Sequence, residues 1–241
     1  MRAEDIKKKD VVEWLDEQTK KNNWRPSTSN RWQAALSLIF RVGIDNEKIE
    51  SNPAARVRHE TEDNGVIRYL SADEEKALRI AITDPKQLAA LEISLHTGMR
   101  RSEQLGLKWS QVDLERKQVT LTQTKNGKPR HIPLNAVALA AFQSLKYDGQ
   151  SKDSPVFPGR DGKAVQSTRG WFEDAVTRAG LKDFTWHCNR HTFASRLVMA
   201  GVDLRTVADL MGHKTIQMTM RYSHLAPEHN ASAVERLLQV Q

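Results

Sequence analysis

The chain has 241 residues, with 37 Lys plus Arg against 30 Asp plus Glu, and so a formal charge of +7. With 39% hydrophobic and 28% charged residues it has the composition of a globular protein of one or two domains, neither disordered nor collagenous. The single cysteine, Cys188, excludes an intramolecular disulfide framework and fits a reducing compartment. Met1 to Asp10 hold no apolar signal region, and no apolar run is long enough to cross a bilayer. The expected location is therefore cytoplasmic, with no membrane partner. The excess of positive charge points weakly to a polyanionic partner.

The first 58 residues read as helical. Val11, Val12, Trp14 and Leu15 form a short apolar cluster among charges. Pro26 and the hydroxyl residues after it mark a helix start. Beyond it Trp32, Ala35, Leu36, Ile39 and Phe40 fall at i, i+3, i+4, i+7 and i+8, an apolar helical stripe. Asn52-Pro53 ends this region, and residues 56–65 are polar and without period, which reads as a linker. We therefore expect a helical domain over 1–58, a linker over 59–68 and a second domain over 69–241.

The second domain opens with a capping box, Ser71 to Glu74, in which each side chain satisfies a backbone N–H at a helix start. A further helix holds Leu88, Leu91, Ile93 and Leu95, and Gly98 is placed to end it in the left-handed conformation. The period then changes to two. Val119 and Leu121 alternate with threonines ahead of Asn126-Gly127, a strong hairpin signal, with a return strand over 128–134. Val112-Asp113 is a candidate third strand. Helical patterns resume at about 136–146, 167–179, 188–200, 203–211, 215–222 and 227–239. The expected fold class is mainly α with one small antiparallel β-sheet (α+β).

Four places carry candidate chemistry, and each has a bland reading beside it. His187, Arg190 and His191 share one helical face, which alone reads as solvated surface. His187 and His191 also have the spacing of two zinc ligands. The glutamate that would act as base in a zinc protease is replaced by Cys188, which points about 100° round the helix, so no metal site is expected. Arg100 follows the helix-ending Gly98, where a guanidinium can be aimed inward, and Glu103 is placed to buttress it or to cap a helix. Lys125 stands beside the hairpin turn, where lysines are usually solvated. Tyr222 is a poor nucleophile unless cations and a proton acceptor surround it. Taken together, these residues form a kit for phosphoryl transfer. Guanidiniums bind non-bridging phosphate oxygens and stabilise transition-state charge. A lysine can protonate a leaving alkoxide, a histidine can accept the tyrosine proton, and the tyrosine can store the bond as a covalent phosphodiester.

At these residues the sequence resembles the tyrosine recombinases, the phage-integrase family. The match rests on T-G-M-R-R-S-E-x-L-G-L at 97–107, T-K-N-G-K-x-R-x-I-P-L at 124–134, H-C-N-R-H-T-F-A-S at 187–195, L-M-G-H at 210–213 and M-R-Y-S-H at 220–224. The resemblance implies a site-specific recombinase or integrase of phage or mobile-element type, in which Tyr222 attacks DNA to leave a 3′-phosphotyrosyl link. It implies that Arg100 and Arg190 clamp the scissile phosphate, that Lys125 is the general acid, and that His187 and His213 assist, with Glu103 and His191 in supporting positions. No metal or nucleotide cofactor is expected. A transposon or resolvase-like recombinase would carry the same residues, and a regulator that had lost catalysis is the alternative of a different class.

The resemblance extends upstream. Residues 24–57 look like the last helices of a DNA-gripping core-binding domain, which makes 1–58 a truncated version of that domain. Its expected DNA contacts are Arg25, Ser27, Asn30 and Arg31, joined from the hairpin by Lys128 and Arg130. The implied partners are double-stranded DNA at specific sites, other copies of the chain through a C-terminal helix carrying Ala231, Val234, Leu237 and Leu238, and a DNA-bending accessory protein. When bound to DNA the chain would be nucleoid-associated.

Overall fold

The computed structural model describes residues 2–62, 67–122 and 129–227. Lys125, the Asn126-Gly127 turn, Lys128 and the helix expected beyond Pro227 lie outside the described residues. The chain divides into two compact units, 1–66 and 67–241, a division that falls within the segment expected to be a linker.

The first unit contains α1 (Lys8–Asn22) and α2 (Pro26–Asp45). Pro26 occupies the first turn of α2, where its missing N–H costs nothing and its fixed φ suits a helix. The core here is small: Val11 and Leu15 from α1 meet Phe40 and Ala54, with Leu36, Ile49 and Val57 around them. Only part of the apolar stripe read from the sequence is buried, Phe40 fully and Leu36 partly. Trp32 is 46% exposed and Ile39 64%, beside an exposed Leu38 and Val42. The buried positions are Ser29, Asn30, Gln33 and Phe40. The reason is what packs there. Backbone from residues 54–62 lies along that face, and its polar groups need partners. Asn30 supplies them, donating to the Glu60 carbonyl (2.9 Å) and to Glu62 Oε1 (2.8 Å) and accepting the Glu60 N–H (2.8 Å). Gln33 donates to the Ala54 carbonyl at 2.8 Å.

In the second unit α3 (Ala72–Ala81) begins with the expected capping box. Ser71 Oγ accepts the Glu74 N–H, and the Glu74 carboxylate accepts the Ser71 N–H. Helix α4 (Pro85–Thr97) is the central element, with Leu91, Ile93 and Leu95 fully buried. It packs on α6 (Ala136–Leu145) and α8 (Trp186–Met199). Gly98 closes α4 at φ +60°, and the Phe193 ring fills the space its Cβ would need. The short α5 (Arg101–Leu105) follows at once.

Next comes an antiparallel sheet in the order β1-β2-β3, formed by Val112–Asp113, Gln118–Leu121 and Arg130–Pro133. Val119 pairs with Ile132 and Leu121 with Arg130. Strand alternation puts Val119, Leu121, Arg130 and Ile132 on the buried face. After α7 (Trp171–Arg178) and α8, the chain forms α9 (Leu204–Met211) and α10 (Gln217–Met220) and reaches Tyr222. A mainly helical fold with one small antiparallel sheet is thus what the residues build. Among the described residues no helix is long and apolar enough to cross a membrane.

Candidate active site

Three chain reversals bring the candidate residues of the second unit together. The turn at Gly98 places Arg100 at the N-cap of α5, where its backbone N–H donates to Glu103 Oε2 at 2.9 Å. The same carboxylate holds the Arg100 side chain, with Nη1 to Oε1 at 2.7 Å. Glu103 therefore both caps α5 and orients Arg100. The second reversal ends α9 at Gly212, left-handed at φ +61°. It turns the Met211 and Gly212 carbonyls toward the arginines, at the negative end of the helix dipole. Arg100 Nη2 donates to the Gly212 carbonyl at 3.1 Å. Arg190, only 4% exposed, donates to the carbonyls of Gly98 and Met211. The third reversal follows His213 and lets Thr219 reach back to His213 Nδ1 (2.7 Å) before Tyr222.

Tyr222 is 1% exposed, its ring packed with Ile67, Ala194, Val198, Val207 and Met211. Its hydroxyl lies 2.6 Å from His191 Nδ1. Burial, only partly opposed by the Arg221 and Arg190 charges, pushes the phenol above its ordinary pKa. His191 goes the other way, down to about 4, through burial and then His187, Arg221 and Arg190. In the Nε2–H tautomer of the neutral imidazole, the Tyr222 hydroxyl donates and Nδ1 accepts. His191 was expected in a supporting position behind His187 and His213. The structure instead sets it directly against the tyrosine.

His213 is likewise lowered to about 4, by burial and by Arg190, Arg100, Arg130 and Arg221. Arg190 itself falls to about 9, first through burial and then through repulsion from Arg100 and Arg130. His187 is exposed at the start of α8, with its ring 4.7 Å from that of His191. The protein packed against it, then Arg190, Arg100 and Arg221, lowers its pKa. Arg100 and Arg130 thus share a single carboxylate, Glu103, with Arg190 in the field of all three, and positive charge is left in excess. Such a site is built to receive an anion. Among the described residues no group of His, Cys, Asp and Glu is placed to hold a metal ion. Cys188 is buried and turned toward Thr185.

Two residues expected to touch DNA are placed otherwise. Arg130 is 7% exposed and reaches inward to Glu103 and the Met211 carbonyl. Asn30 is buried within its own unit, with its amide committed to Glu60 and Glu62. Arg25 and Arg31 are exposed, and Ser27 is half-buried. The inward direction of Arg130 was available in principle: it is in phase with Ile132 and Leu134 on the return strand, and period two puts all three on one face.

The Phage integrase family model matches residues 68–229, and the chain belongs to that family, whose members include the tyrosine recombinases. Tyrosine recombinase XerC of Xanthomonas axonopodis pv. citri is 34% identical over 196 residues, 78% of this chain and 64% of the relative. The integrase of Salmonella phage P22 is 34% identical over 179 residues, 69% of this chain and 46% of the relative. The chain therefore spans only part of the length of the curated relatives it matches. Among solved structures, the Tn1549 transposon integrase in complex with a circular intermediate DNA superposes with a TM-score of 0.77 at 25% identity. The alignment covers 97% of this chain and 86% of that one. A lambda integrase dimer bound to a core site has the same fold, with a TM-score of 0.76 at 22% identity over 92% of this chain and 81% of that one.

Proposed function

We propose that this chain is a site-specific DNA recombinase that cuts and rejoins strands through Tyr222. The observation that carries the reading is the Tyr222 hydroxyl 2.6 Å from the His191 imidazole, in a unit where Arg100 and Arg190 are held on the adjoining carbonyls of Gly212 and Met211. In the reaction the Tyr222 oxygen attacks the phosphorus of a phosphodiester. A P–O bond forms to the tyrosine, the bond to the 5′-oxygen breaks, and the strand is left with a 3′-phosphotyrosyl end and a free 5′-hydroxyl. The phenol proton passes to His191, whose Nδ1 lies 2.6 Å from the hydroxyl. Arg100 and Arg190 bind the non-bridging oxygens, and the charge they add to the transition state is the main electrostatic contribution. His187 and His213 donate hydrogen bonds to the same phosphate. Lys125 delivers the proton to the leaving 5′-oxygen. The covalent ester conserves the bond energy, so attack by another strand's 5′-hydroxyl reseals DNA without a nucleotide.

DNA as the substrate is supported by the unbalanced guanidiniums and by the Tn1549 integrase structures, whose bound partners include a transposon end. The first unit, with Arg25 and Arg31 exposed on it, serves as a second grip on the duplex. Because Tyr222 is buried, binding of DNA has to displace residues 221–226 before attack. Exchange between duplexes requires several copies, associated through the segment after Pro227, and an accessory bending protein is compatible with this scheme.

The test is covalent capture in chelator. Wild-type chain is incubated with nicked duplexes recovered from a randomised pool by their binding to it, and the adduct is resolved by denaturing electrophoresis. A stable adduct is expected, and Tyr222→Phe should abolish it. Adduct formation by the Phe variant would remove Tyr222 from the mechanism. Its absence from wild type on every recovered duplex would remove the reaction.

A further inference from the structure

Among the described residues of the second unit, Arg130 is the buried cation that the scheme above leaves without a task. It projects from β3 opposite Leu121, in phase with Ile132, a position where strand alternation calls for an apolar side chain. A buried ion pair is a poor way to stabilise a fold, since hydrophobic residues of similar volume often serve as well or better. What Arg130 touches is more telling. Its Nη2 donates to Glu103 Oε2 at 2.8 Å, and its Nη1 donates to the Met211 carbonyl. Glu103 is the carboxylate that holds Arg100, and the Met211 carbonyl is an acceptor of Arg190. The Arg130 side chain also occupies the space where a Cβ on Gly212 would lie, so the turn ahead of His213 is shaped around it.

We propose that Arg130 is a positioning residue for phosphoryl transfer: it ties Glu103 to the Met211–Gly212 turn and so sets the directions of Arg100 and Arg190 and the place of His213. The inference rests on the recombinase reading of the same site. It has an electrostatic side as well as a steric one. Glu103 is faced by Arg100 from α5, Arg130 from β3 and Arg190 from α8. Burial acts to raise its carboxyl, and the Arg130 charge with the Arg100 hydrogen bonds outweighs this, so it stays ionised. Because Arg130 takes a share of that carboxylate, Arg100 is not wholly neutralised by it and keeps attraction for a phosphate. Without Arg130, Glu103 would pair with Arg100 alone among the described residues, and Arg190 would lose the neighbour that shares its carbonyl.

The experiment uses the full chain and nicked duplexes first selected from a randomised pool by covalent capture on wild type. A failure at that stage rejects the recombinase reading and leaves Arg130 out of account. On a captured duplex, Arg130→Met should keep its affinity within about twofold and its salt dependence, yet cleave about 100-fold more slowly at saturating DNA. The acid limb of its pH–rate profile should move to higher pH, because Glu103 has lost a facing cation. Arg130→Lys restores the charge and the limb but cannot bridge both acceptors, so its rate should be about tenfold low. It keeps the test open if the Met variant fails to fold. The proposal is overturned by an unchanged rate at saturating DNA, or by weaker binding with a salt slope lower by about one, the mark of a phosphate contact. A slower rate with an unmoved acid limb in Arg130→Met would reduce Arg130 to packing and overturn it equally.

Discussion

Lowering the pH from 7 to 5 should destabilise the second unit through imidazoles whose pKa the fold lowers, His96, His187, His191 and His213, the last two by the largest amounts. His191 and His213 both lie near pKa 4 in the fold, against an ordinary value of about 6.5 in the unfolded chain. His191 faces His187, Arg190, Arg221 and the Tyr222 hydroxyl; His213 faces Arg100, Arg130, Arg190, Arg221 and Thr219. The native state thus holds both rings neutral. As pH falls below 6.5 the unfolded chain binds protons that the folded chain refuses, and stability falls with it until the folded rings titrate near 4. At about pH 5 each ring costs the fold about 2 kcal/mol relative to neutrality, and the pair about 4 kcal/mol. That is a large part of a typical domain stability of about 5–15 kcal/mol. The carboxylates with lowered pKa, Glu74, Glu75 and Glu103, titrate below this window and leave it to the histidines. Urea unfolding of the full chain, followed by tryptophan emission at both pH values, measures the difference. His213→Gln should remove about 2 kcal/mol of it. Equal or greater stability at the lower pH would mean that the rings are protonated in the fold, and would refute the assignment of His191 as acceptor of the Tyr222 proton.

Gly98→Ala should cost about 1–2 kcal/mol for a left-handed Cβ, and more for the collision with Phe193, read as a lower midpoint in thermal unfolding and slower cleavage through displacement of Arg100. In the first unit, Asn30→Ala should lower stability by about 1–3 kcal/mol by stranding the Glu60 backbone groups and leave the salt slope of DNA binding unchanged. Arg31→Ala, at an exposed cation, should do the reverse, with little effect on stability and a salt slope reduced by about one. If the two variants exchanged these phenotypes, the placement of α2 residues would be contradicted.

Local features read most directly from the sequence. The capping box at Ser71, the left-handed stop at Gly98 and the three strands each depend on a few neighbouring residues and on backbone geometry that those residues dictate. The motifs around Arg100, Arg190, His213 and Tyr222 were legible because their residue types make sense only in company. Three points were not. The apolar stripe of α2 points inward only at Leu36 and Phe40, while Asn30 and Gln33 are also inward, because an irregular backbone segment packs there and needs amide partners. Arg130, expected as a DNA contact, is buried, because its strand phase with Ile132 turns it inward whatever its charge. His191 was ranked behind two other histidines because nothing in a linear pattern says which imidazole a buried phenol will meet.

The sequence by itself determined the family, the chemical inventory and the caps and strands of the described residues, since helix caps, turn glycines and residue types act over a few positions. Only the tertiary structure decided which carbonyls Arg190 is held by, which carboxylate Arg100 and Arg130 share, and that Tyr222 rests buried against His191. These contacts join residues far apart along the chain, and the packing that joins them also removes the water. That desolvation lowers the imidazoles, raises the phenol and leaves the guanidiniums unbalanced, and no single segment carries it.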